Sequence, residues 1–132
     1  MRWLVGLFVL ALPAIAEPPA PCNSQLCEMV AAGRLEGLRW PDFTDHRARI
    51  QKFYQPSSYA YAWFHNGAAS EPAKALIEIL RGSALQGLNP EDYDVSRWAA
   101  NSASETRRAE FDLALTVAVM RYVSDLHFGK LN

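Results

Sequence analysis

The sequence predicts a mainly α fold, a small bundle of about four to five helices with one short extended aromatic segment. Three observations carry this. Apolar residues between Ala73 and Ala84 recur at spacings of three and four, and those from Phe111 to Leu126 do the same over a length that suits only a helix. Ser, Asn, Pro and Gly stand where helix starts and stops require them. The chain is half hydrophobic and only 20% charged, too apolar to stay disordered, so the helices have a core to surround.

Ahead of the bundle lies an address. Met1-Arg2 is a short positive end, Leu4 to Leu12 is an apolar run, Pro13 breaks it, and Ala14-Ile15-Ala16 places small residues at the −3 and −1 positions. Residues 1–16 therefore read as a signal peptide cleaved before Glu17. An uncleaved anchor needs about 20 apolar residues, which this run does not reach. A lipid anchor needs a cysteine directly after the run, whereas Cys22 follows Pro19-Ala20-Pro21. The expected location is periplasmic or secreted, with no membrane attachment after cleavage. In that oxidising setting Cys22 and Cys27 form a candidate disulfide, a local staple that requires the chain to turn between them. A redox pair, which usually has two intervening residues, and a zinc site, which wants further ligands nearby, fit the spacing less well.

Residues 17–44 read as an N-terminal segment with a short helix, opened by Ser24 and running through Met29, Val30 and Ala32 before Gly33 and Gly37 loosen the chain. From Asp45 the run HRARIQKFY predicts a second helix with Ile50 and Phe53 on one side, stopped by Pro56, Ser57 and Ser58. Tyr59-Ala60-Tyr61-Ala62-Trp63 alternates large and small residues, as a short extended segment or an aromatic-rich loop would. Ser70 caps a third helix with Glu71 and Pro72 in its first turn and Ala73, Leu76, Ile77, Leu80 and Ala84 on its apolar face, closed by Gly87. Asn89-Pro90-Glu91-Asp92 then starts a new turn, so GLNPEDY is a corner between helices. The last helix is expected from a cap near Ser102, with Glu105 completing a capping box, to Phe128 before Gly129. Phe111, Leu115, Ala118, Tyr122 and Leu126 form its stripe, widened by Ala114, Val117 and Val119, as suits the central helix of a bundle. The uncharged run between Asp112 and Arg121 is too short to span a bilayer.

Chemistry is sparse. With 13 Lys and Arg against 14 Asp and Glu there is no polybasic field, which argues against nucleic acid as a partner. His46, His65 and His127 are scattered, so no metal site is expected, and no nucleophile elbow, phosphate loop or Cys/His pair points to catalytic or cofactor-binding residues. Glu91, Asp92 and Asp94 could in principle do acid–base work, but their place at a helix start explains them without it. Phe53, Tyr54, Tyr59, Tyr61, Trp63 and Phe64 could stack on sugars or fill space between helices. Packing is favoured, with Trp63 expected to be the most exposed ring. Tyr59, Tyr61 and Trp63 are the candidate contacts to a glycan or a partner.

Taken in order, Phe53-Tyr54, Trp63 after an aromatic loop, an amphipathic helix, Gly87-Leu88-Asn89-Pro90-Glu91-Asp92-Tyr93, Glu110-Phe111-Asp112-Leu113-Ala114-Leu115-Thr116 and Tyr122-Val123-Ser124-Asp125-Leu126-His127-Phe128-Gly129-Lys130 resemble the scaffold domain of the large periplasmic murein L,D-transpeptidases. The resemblance implies a helical scaffold over residues 45–132 that braces a separate catalytic domain. In that family the catalytic part cross-links peptidoglycan through a cysteine acyl-enzyme in a Ser-x-Gly-Cys motif with an upstream His. This sequence has no such motif, and neither Cys22, Cys27 nor any histidine has its surroundings. The expectation is a non-catalytic scaffold domain, a truncated chain, whose partner is a missing or separate L,D-transpeptidase catalytic domain or peptidoglycan itself. Exposed faces of the third and fourth helices would then be the docking surface. The alternative is a stand-alone periplasmic binding module for peptidoglycan or a protein.

Overall fold

A computed structural model describes Gly6 and residues 22–99 and 104–129. The expected signal peptide, Gly6 apart, and the expected cap Ser102 lie outside the described residues. The fold is mainly α. Helix α1 (Gln25–Ala32) starts at Ser24, whose hydroxyl accepts the Cys27 N–H at 3.2 Å. A Cys22–Cys27 disulfide lies beside this cap with the two Cα atoms 5.3 Å apart. Gly33, at φ +69°, ends α1 in the left-handed conformation that glycine adopts at little cost.

The segment after Gly33 is more ordered than its glycines suggest. Leu35 N–H bonds to the Pro41 carbonyl and Phe43 N–H to that of Gly33, folding residues 33–43 into a loop that buries Leu35, Leu38 and Phe43. Helix α2 (Arg47–Tyr54) follows, and it corrects the predicted facing: Ile50 and Tyr54 are the buried pair, while Phe53 is 39% exposed. Both pairings fit helical spacing, and the buried partners of the Tyr54 hydroxyl select the second.

A 3-10 turn (Gln55–Ser57) ends at Ser58 and Tyr59, both at positive φ, so residues 59–63 form a loop rather than a strand. The extended structure is a minimal hairpin just beyond, β1 (Phe64–His65) antiparallel to β2 (Ala68–Ala69), in register Phe64 to Ala69. Its turn is Asn66-Gly67 with φ of 53° and 78°, the dipeptide that favours a two-residue hairpin.

Helix α3 (Glu71–Arg81) is capped by Ser70, whose hydroxyl accepts the Ala73 N–H, and buries Ala73, Ile77 and Leu80. It stops earlier than its pattern predicts. A 3-10 turn (Gly82–Gln86) follows, leaving Ala84 exposed, and Gly87 closes that turn rather than α3. At the corner, Asn89 caps a 3-10 turn (Pro90–Tyr93), then Asp94 at φ +56° leads into another (Val95–Ala99). Helix α4 (Glu105–Phe128) is capped by Ser104, accepting the Arg107 N–H at 3.2 Å. Glu105 is thus the first helical residue and not the partner of a capping box. Ala109 and residues 111–118 are buried, so α4 is the central helix, contacted by α1, α3 and the Pro90–Tyr93 turn. Beyond Met120 it leaves the core, and Val123, Leu126 and Phe128 are exposed at 56%, 50% and 70%. Among the described residues no helix is long and apolar enough to cross a membrane.

Candidate functional site

Asp112 is fully buried in the middle of α4, and only donors surround its carboxylate. The Tyr54 hydroxyl donates to Oδ1, the Ala62 N–H reaches the same oxygen at 3.2 Å, and the Trp63 N–H reaches Oδ2 at 2.8 Å. One turn on, the Thr116 hydroxyl lies 2.7 Å from that of Tyr54, accepts the Trp63 indole N–H at 2.9 Å and donates to the Asp112 carbonyl at 3.0 Å. Burial pushes the Asp112 carboxyl up from its ordinary value, opposed by the bonds from Tyr54, Trp63, Ala62 and Phe64. Burial, then the neighbouring Asp112 charge, pushes the Tyr54 phenol up strongly. The Asp112 carboxyl is shut away from solvent and held by donors on both oxygens. It anchors the aromatic loop to the central helix.

At the other end of α4 lies a cleft of about 460 Å³ lined by Trp40, Asp42, His46, Arg121, Asp125 and Phe128 among others. Arg121, one of its lining residues, donates through Nη2 to the carbonyls of Trp40 and Asp42 at 2.9 and 3.0 Å, and so ties α4 to the 33–43 loop. Burial lowers the Arg121 pKa, opposed by Asp45, Asp94, Asp125 and Asp42 around it. Corner acids complete the joint: Asp94 accepts the Arg39 N–H at 2.7 Å, Arg39 Nε stands 3.5 Å from Asp92, and Tyr93 donates to Asp125 at 2.7 Å. Among the described residues no three His, Cys, Asp or Glu side chains are grouped to hold a metal ion.

A family model described as Scaffold domain matches residues 48–132, the stretch that holds the aromatic loop, the Asn-Pro corner and α4. The chain belongs to the scaffold domain family. This bears out the resemblance to the scaffold domain of L,D-transpeptidases. No curated protein and no solved structure gives a significant match.

Within this scaffold domain the sequence-predicted residues occupy different roles from one another. Tyr59 is half-buried, stacked on Tyr54 with centroids 5.8 Å apart. Tyr61 donates to the Glu105 carbonyl at 3.3 Å and meets Phe64 edge to face. Trp63, expected to be the most exposed ring, is half-buried because both its backbone and indole N–H groups are bound to α4. Phe53 is the exposed ring of the set. Asp92 and Asp94 are buried joints with Arg39, and Glu91 stands exposed apart from them. Sequence reading missed the role of Asp112; the available signal was a lone acid at the edge of an apolar helical run, a position where a buried charge needs partners.

Proposed function

We propose that this scaffold domain acts without catalytic residues of its own in the periplasm, as the bracing unit for an L,D-transpeptidase catalytic domain engaged in peptidoglycan cross-linking. The observation that carries this reading is the end of α4. A central helix normally buries its apolar stripe throughout, yet Leu126 of that stripe is exposed where α4 leaves the core, as are Val123 and Phe128 outside it. Tyr122, one turn before Leu126, bonds to Gln86 at 3.3 Å, next to Leu85, which is 89% exposed. Large exposed apolar side chains are what a docking surface presents. The end of α4 and the turn after α3 thus supply the partner contact, and the joints made by buried Asp112 and half-buried Arg121 supply a rigid mount for it.

The test is a binding titration of the full chain against a separately produced L,D-transpeptidase catalytic domain. Wild type binds, and Leu126→Asp with Phe128→Asp, which alters only exposed positions, abolishes binding while far-UV circular dichroism shows the chain still folded. Equal binding by wild type and the double variant, or none by wild type, refutes the reading.

A further inference from the structure

From His46 to Ser70 the chain contains no carboxylate, although acids slightly outnumber Lys and Arg in the whole sequence. The same stretch contains Arg47, Arg49, Lys52 and the six clustered aromatics. Helix α2 turns this composition into a surface. With Ile50 and Tyr54 facing the core, helical geometry sets Phe53, Arg49 and Lys52 side by side within about 100° of the helix circumference. All three are exposed. Arg47 lies on the opposite flank, bound to the Ala31 carbonyl at 3.2 Å. Among the described residues neither Arg49 nor Lys52 forms an ion pair, whereas Arg34, Lys74 and Arg81 each pair with a neighbouring glutamate.

Phe53, on the same face, packs against two other rings. Its ring stacks on Trp63 with centroids 5.9 Å apart and planes 17° from parallel, and Trp63 is itself fixed by Asp112 and Thr116. Tyr54 meets Phe53 edge to face at 5.0 Å. Arg49, Lys52 and a ring packed on its aromatic neighbours thus share one exposed face of α2.

We propose that the Phe53–Arg49–Lys52 face of α2, backed by Trp63, binds a carboxylate-bearing polysaccharide. The C–H face of a sugar packs on the Phe53 ring, and a carboxylate on the same polymer reaches the Arg49 fork and the Lys52 ammonium. Peptidoglycan, whose peptide stems carry carboxylates, belongs to this class; that identification rests on the cell-wall reading above, while the surface does not use the apolar end of α4. Membrane insertion would call for several exposed apolar side chains, and α2 exposes one large one.

The test uses the full chain with four probes: purified sacculi, polygalacturonate, neutral dextran, and vesicles of phosphatidylglycerol. Sacculi and polygalacturonate bind in low salt, while dextran and vesicles bind at least tenfold more weakly. Arg49→Gln with Lys52→Gln weakens polygalacturonate binding about tenfold and removes most of its salt dependence. Phe53→Ala weakens it about fivefold with far-UV circular dichroism unchanged. The Leu126→Asp, Phe128→Asp variant keeps full polysaccharide binding, so loss of catalytic-domain docking and loss of glycan binding are told apart. Equal binding to dextran, a preference for vesicles, unaltered binding by the Arg49/Lys52 variant, or no polysaccharide binding at all overturns the proposal.

Discussion

Replacing Tyr54 by phenylalanine removes one oxygen from the centre of the Asp112 network and leaves the ring in place. Tyr54 is fully buried, so water does not substitute readily for the lost hydroxyl. A hydrogen bond to a charged group contributes about 1.5–3 kcal/mol. Asp112 keeps the Ala62 and Trp63 N–H groups, and the Thr116 hydroxyl keeps the Asp112 carbonyl and the Trp63 indole, so no atom is wholly orphaned. The loss should therefore fall near the middle of that range, about 2 kcal/mol. In urea this lowers the unfolding midpoint by about 1–2 M at unchanged slope, and on heating it lowers Tm by about 10 °C. Tyr59→Phe is the control, because its half-buried ring stacks on Tyr54 and its hydroxyl forms no hydrogen bond among the described residues; it should cost less than about 0.5 kcal/mol. If Tyr54→Phe costs no more than Tyr59→Phe, the network is not what holds the aromatic loop to α4.

Four further outcomes are expected. Leu115→Ala, at a fully buried position on α4, should cost about 3 kcal/mol in denaturant unfolding, whereas Leu126→Ala, half-exposed, should stay within about 0.5 kcal/mol. Gly37→Ala should cost about 1–2 kcal/mol through its φ of +89°, plus an increment because an added Cβ would stand 1.9 Å from Arg97 Nη2; Arg97→Ala should recover the increment and not the backbone cost. Reducing the Cys22–Cys27 bridge, which closes a separation of five residues, should destabilise the chain by about 2 kcal/mol, read from melts with and without reductant. For pH, the sign differs between two aspartates. Asp112, with its folded pKa raised by burial, makes wild type lose stability relative to Asp112→Asn as pH rises from 3.8 through that raised value. Asp42, lowered chiefly by the Thr44 N–H, contributes stability present above 3.8 and lost as pH falls through its lowered value, so Asp42→Asn should matter at neutral pH and not in acid.

Local chemistry explains what sequence reading recovered. Ser24 and Ser70 act as helix caps within their own first turns, and Ala73, Ile77 and Leu80 face inward because their spacing leaves no other arrangement. The candidate site was legible only in part. Its aromatics were visible as a cluster, but composition could not rank their exposure, since Trp63 is withdrawn by two bonds to residues about fifty positions away. The Asn66-Gly67 dipeptide carries the hairpin signal, whereas the alternating residues before it form a loop.

By itself, then, the sequence determined the mainly α class, most helix starts, the central place of α4 and the family, all of which depend on neighbours within a turn or two or on the order of such pieces. Only the tertiary structure decided which of Phe53 and Tyr54 turns inward, whether a lone Asp112 can sit in an apolar helix, and that Arg121 ties α4 to an N-terminal loop. Each of those depends on a donor or acceptor distant in the chain, and a buried polar group takes the position where that partner waits because leaving it unpaired costs more than any local preference returns.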